Sequence, residues 1–121
     1  MNIKDFQSGQ EVFGLTERKG RNVPPVVRRL LVAGVGRKYV KAAPEGAPYT
    51  TPFALASEED EYLTEAKDWG DKEKLFLSEQ TLQDYRERED LFRTIRRTLE
   101  HAHANQYSLE QLREIRKILD K

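Results

Sequence analysis

The sequence predicts an α+β protein of one compact domain, with a small β-barrel or strongly bent antiparallel sheet over residues 1–77 and a C-terminal helical hairpin over 78–121 packed on it. Three observations carry this. Short β-rich segments separated by Gly and Pro turns fill the first two-thirds of the chain. Helix-period apolar stripes with N-capping signals fill the last third. At 121 residues, 37% apolar and 35% charged, the chain has enough apolar material for one modest core and is too apolar to be disordered.

The first strand is Gln10–Thr16, carrying Val12, Phe13 and Leu15 after the turn-like Ser8-Gly9. The polar loop Glu17–Asn22 follows and ends at Pro24-Pro25. Val26–Val35 is bracketed by that proline pair and by Gly34 in a way that suits a short helix too. Its β-branched content and the Gly36-Arg37 turn favour a strand paired with Lys38–Ala42. Three prolines and a glycine make Ala43–Pro52 a loop or bent edge. Thr51–Ala56, Tyr62–Ala66 and Lys74–Leu77 complete a barrel of about five or six strands, whose closure removes exposed edges.

Ser78 before Glu79 supplies a hydroxyl N-cap and an acid at the positive end of the first helix, with Leu77 and Leu82 placed for a hydrophobic staple. The stripe Leu82, Tyr85, Phe92, Ile95, Leu99, Ala102 marks its packing face. The stripe breaks at Arg88-Glu89, where a kink or a change of packing partner is expected. Ser108 with Gln111 forms a capping box, and Tyr107 with Leu112 a staple, for a second helix faced by Leu109, Leu112, Ile115 and Leu119. The turn between the helices falls at Asn105-Gln106.

Composition excludes several classes. Without cysteine there are no disulfides or thiolate metal ligands. The segment MNIKDFQSGQ has no apolar h-region, and no run approaches the roughly 18 apolar residues of a membrane span, so a cytoplasmic protein is expected. The 21 basic and 21 acidic residues cancel, but by segments: +5 over 1–57, −8 over 58–90 and +3 over 91–121. Net neutrality argues against a general polyanion binder, whereas segregation allows a local one.

The order of motifs resembles a family of small β-barrel proteins of phages and prophages of Gram-positive bacteria. The likeness rests on Asp5–Val12, Gly20-Arg21-Asn22, Val35-Gly36-Arg37-Lys38-Tyr39-Val40, Leu75–Gln80, Tyr85 and Tyr107–Leu112. The Val35–Val40 hairpin is its most specific piece and is also similar to SH3-like barrels of the KOW type. The sequence departs from the family pattern after Val40, where the alternating run gives way to Lys41-Ala42-Ala43-Pro44. The resemblance implies the barrel and a phage setting; it brings no settled activity.

The basic residues Arg18, Lys19, Arg21, Arg28, Arg29, Arg37, Lys38 and Lys41 lie in or beside the first hairpins. Arg21, Arg37, Lys38, Tyr39 and Lys41 are the candidate nucleic-acid contacts, because phosphates need fixed cations and bases need an exposed aromatic face. The competing reading is solvated loops with Tyr39 in the core. Arg28 and Arg29 point to opposite faces of a strand, so at most one joins the patch. The acidic run Glu58, Glu59, Asp60, Glu61 with Trp69 is the candidate protein interface, suited to an inhibitor or adaptor directed at a host protein in the manner of an anti-CRISPR factor. Against it stand a solvated acidic loop and a Trp69 that caps the barrel or covers its junction with the helices, the favoured reading of each. The carboxylates of 58–73 are expected to be exposed.

His101 and His103 are two apart and face nearly opposite sides of a helix, so they do not chelate one ion; His103 is expected beside Leu99 on the packing face. Arg93, Arg96, Arg97, Arg113, Arg116 and Lys117 read as solvated helix positions. No nucleophile elbow, phosphate-binding Gly-Lys-Ser/Thr loop or dinucleotide fingerprint is present. The expectation is a non-catalytic binding module without cofactor or metal, whose partner is nucleic acid or a host protein.

Overall fold

A computed structural model describes residues 1–18 and 23–120. They form two compact units, 1–86 and 87–121.

The first unit is a closed antiparallel barrel in which sequential strands are neighbours and the last pairs with the first. The strands are β1 (Glu11–Thr16), β2 (Val26–Val35), β3 (Tyr39–Ala43), β4 (Thr51–Ala54), β5 (Leu63–Glu65) and β6 (Lys74–Phe76). They fall in the segments the sequence marks out, including the middle pair after the Lys41–Pro44 departure, except that β3 runs one residue further, into Ala43. The ten-residue β2 serves two partners. Its first half pairs with β1, from Thr16↔Val26 to Glu11↔Leu31, and its second half with β3, up to Val35↔Val40. The register slips between Val32 and Gly34, and such a bulge bends a long strand around a small barrel.

Alternation then sorts side chains into two cores. Val12, Leu30, Val32, Val40, Ala42, Phe53, Leu63 and Leu75 fill the interior with Phe6. Leu15 and Phe76 point outward and are covered by Leu82 and Tyr85 from the first turns of α1 (Glu79–Glu100), with Phe13 and Tyr62 alongside. Tyr62, Phe76 and Tyr85 form a triangle with centroids 5.2–5.4 Å apart. Ser78 caps α1 by accepting from the Thr81 amide at 3.1 Å.

In the second unit α1 continues through Arg88-Glu89 to Glu100, a 3-10 turn at Ala104–Gln106 follows, and α2 spans Leu109–Leu119. The Ser108–Gln111 capping box forms, with bonds of 2.9 and 3.0 Å. The expected packing stripe is buried only at Leu82 and Tyr85; Phe92, Ile95 and Leu99 are exposed, as are Leu109, Leu112 and Leu119 on α2. The change at Arg88-Glu89 is therefore one of surroundings, since the helix runs unbroken while burial ends at Tyr85.

Candidate nucleic-acid interface

The β2–β3 turn is closed by the Gly36 amide donating to the Tyr39 carbonyl at 2.8 Å. Along β3, Val40 and Ala42 point into the barrel, so Tyr39 and Lys41 must point out. Their cross-strand partners have little or no bulk: Gly34 lies opposite Lys41 on β2, and Pro52 and Ala54 lie opposite Lys41 and Tyr39 on β4. Tyr39 and Lys41 therefore stand beside small cross-strand neighbours. A shallow depression of about 320 Å³ is lined there by Gly34, Arg37, Lys38, Tyr39 and Lys41.

Tyr39 is 37% exposed, which places it outside the core. The Lys38 ammonium lies 5.4 Å from its ring centroid, within cation–π range. Among the described residues no salt bridge engages Arg37, Lys38 or Lys41. Three cations without salt-bridge partners thus line one shallow depression with a partly exposed aromatic ring. That arrangement suits phosphates flanking a stacked base. Arg21, the fifth candidate, lies outside the described residues, as does Lys19.

The other basic candidates separate from this face. Arg29 is exposed opposite Phe13, while Arg28 shares the interior-facing side with Leu30 and reaches buried Glu73. Their contact is a fork, Nε to Oε2 and Nη2 to Oε1, both at 2.7 Å. Glu73 is only 4% exposed, which corrects the expectation that the carboxylates of 58–73 are all solvated. It fits because Gly14, across the strand from Arg28, has no side chain: a β-carbon there would overlap the Glu73 carboxylate. A strand glycine is the sequence signal for such a close approach. The hydrogen bond to Glu73 holds the Arg28 pKa above the ordinary arginine value against the opposing effect of burial.

Lys74 is taken up as well. Burial alone would lower its pKa, but bonds of 2.8 Å to both Glu17 and the Tyr85 hydroxyl raise it above the ordinary lysine value. Its ammonium also lies 5.0 Å from the Tyr85 ring and 5.4 Å from Tyr62, tying the start of α1 to the barrel.

The structure does not unite the proposed protein-interface residues. Glu58–Glu61 lie in the β4–β5 connection and Trp69 at the tip of the β5–β6 connection, at opposite ends of β5. Because Tyr39 pairs with Ala54, the acidic run emerges at the same barrel end as the Arg37-Lys38 turn. Trp69 is 84% exposed beside Gly70, whose φ of +90° turns the tip, so it does not cover the barrel. His103 lies past the end of α1 and is exposed, as is His101, which corrects its placement on a packing face. Among the described residues no group of three or more His, Cys, Asp or Glu side chains is arranged to hold a metal ion. No described helix is long and apolar enough to cross a membrane.

Comparison with known proteins agrees with the phage setting. The family model for the phage ProQ C-terminal-like domain matches residues 1–121. No curated protein and no solved structure matches the chain. The full-length match places this six-stranded barrel and its C-terminal helices in the phage ProQ C-terminal-like domain family.

Proposed function

We propose that the barrel is a non-catalytic binding module for single-stranded nucleic acid, RNA above all, and that Arg37, Lys38, Tyr39 and Lys41 form its contact face. The observation that carries this is the gathering of three cations without ion-pair partners and an exposed tyrosine along one shallow depression of the barrel surface. The cations hold a backbone while the ring stacks on a base, a combination tolerant of sequence. The family's name points the same way, since ProQ is an RNA-binding protein.

Fluorescence anisotropy with labelled single-stranded RNA, single-stranded DNA and duplex DNA tests this. Single strands should bind best, and Arg37→Ala with Lys38→Ala should weaken them without unfolding the barrel. Equal affinity in parent and double variant overturns the site.

A second reading is a protein-binding inhibitor or adaptor, supported by Trp69, since a tryptophan exposed to this degree is a residue type enriched at interface hot spots. It requires a host-protein complex that survives nuclease treatment and is lost in Trp69→Ala.

A further inference from the structure

The helical unit from Glu87 onward has no buried residue on either helix. It is shorter than the roughly 40 residues below which a unit ordinarily needs disulfides, metal or oligomerisation to be stable. Each helix stretch is near the length of about 12–15 residues at which isolated helices are marginal in water. Yet their apolar residues are not scattered. Phe92, Ile95 and Leu99 follow the three- and four-residue spacing of a heptad seam, with Leu91 on its flank. Leu112, Ile115 and Leu119 repeat that spacing on α2, flanked by Leu109 and Ile118.

Glu89 and Arg96 occupy equivalent flanking positions one heptad apart on α1, with opposite charges. Together with Phe92 they line a groove of about 510 Å³ beside the seam. Two such helices laid antiparallel bring Glu89 of each against Arg96 of the other, so the surface is complementary to itself. Its extent is also sufficient. The exposed apolar residues of the two stripes average a little over half exposure. At ~200 Å² for each full side chain, this leaves on the order of 900 Å² per copy. A symmetric pair would then bury on the order of 1,800 Å², within the roughly 1,200–2,000 Å² of stable interfaces.

We infer that this helical unit is a dimerisation element whose occupant is a second copy of this chain, paired antiparallel through the Phe92–Ile95–Leu99 seam into a bundle with both α2 helices. The inference is independent of the nucleic-acid reading and joins two barrels into one bivalent particle.

Sedimentation equilibrium of the full chain, free of nucleic acid, should give twice the chain mass, falling to the monomer in Phe92→Asp with Ile95→Asp. Circular dichroism of the barrel serves as the folding control. Charge swaps supply the second measurement. Glu89→Arg and Arg96→Glu should each weaken the dimer about tenfold, and the two together should recover most of that loss. These positions are two turns, about 10 Å, apart on one helix and do not touch, so recovery must pass through a partner helix. A monomer at every concentration up to ~100 μM, weaker than interfaces of this size reach, overturns the inference. So does a dimer in which the paired swap adds to the single losses.

Discussion

The salt dependence expected of the proposed nucleic-acid binding follows from counting cations on the sheet face. Arg37, Lys38 and Lys41 are the three available there, because Arg28 and Lys74 are engaged by Glu73 and Glu17. Each phosphate neutralised on a single strand contributes about −0.7 to the slope of log K against log salt, so three give about −2. Affinity should then fall about twentyfold between 0.05 and 0.2 M salt. Removing Arg37 and Lys38 together leaves one contact, a slope near −0.7 and a fall of only about threefold over the same range. Tyr39→Ala acts differently: it removes stacking worth about 1–3 kcal/mol per base and leaves the slope unchanged. Anisotropy titrations at four salt concentrations separate these effects. An unchanged slope in the double variant, or a slope lowered as much by Tyr39→Ala as by removing both cations, refutes the assignment.

Two further outcomes test how the barrel holds this face. Gly14→Ala forces the Glu73 carboxylate away from Arg28. Breaking a buried pair costs about 3–5 kcal/mol, and the partial exposure of Arg28 puts this one near the lower end. Urea denaturation should show that loss, and adding Glu73→Ala should return part of it as the two effects couple; a parental midpoint in Gly14→Ala contradicts the clamp. Lys74→Met should cost about 1.5–3 kcal/mol at neutral pH, the worth of hydrogen bonds to a charged group. Because the folded pKa of Lys74 is raised, its contribution is fully present below the unfolded value near 10.5 and is lost as pH rises through the folded one. Parent and variant stability curves should therefore run parallel from pH 6 to 9 and converge in stronger alkali, and a constant gap there removes the linkage.

How much was legible in the sequence depends on how far each signal reaches along the chain. The strand segments, the Ser78 and Ser108 caps and the Arg37–Lys41 hairpin rest on neighbours a few residues apart, and they stand where their local chemistry puts them. Tyr39 and Lys41 were legible as neighbours of the turn. The small size of their cross-strand neighbours was not, because Gly34, Pro52 and Ala54 reach that face through the β2–β3 and β3–β4 registers. Nor does charge composition distinguish a free cation from a paired one. Arg28 and Arg37 look alike in sequence until pairing carries Arg28 to Glu73, 45 positions away. The one local trace of that contact is Gly14, a glycine inside a strand. Trp69 and the Phe92–Leu99 stripe show the converse limit. Apolar content and period mark a residue as suited to burial, but they do not say that its own fold supplies the cover.

The acidic run gives the last test, because it shares a barrel end with the cations. Glu58 is four residues beyond Ala54, the strand partner of Tyr39, and the Glu58 backbone carbonyl is tied to the N-terminal amine at 3.2 Å. Its side chain is exposed, as is that of Glu59. A polyanion on the Tyr39 face therefore feels repulsion from one side, and the wider the ligand, the more of its phosphates come within range. At a separation of ~12 Å in water, two carboxylates acting on three phosphates oppose binding by about 1–2 kcal/mol at ~0.01 M salt, where screening is weak. At 0.15 M the Debye length of about 8 Å reduces this to under about 0.5 kcal/mol. Glu58→Gln with Glu59→Gln should thus strengthen binding about tenfold at low salt and about twofold or less near physiological salt, with a larger gain for duplex than for single strands. The substitutions leave the backbone contact at Glu58 intact, so a gain reports charge rather than loop rearrangement. Binding unchanged at low salt would mean that no nucleic acid occupies this end of the barrel, and the contact face would have to be sought elsewhere.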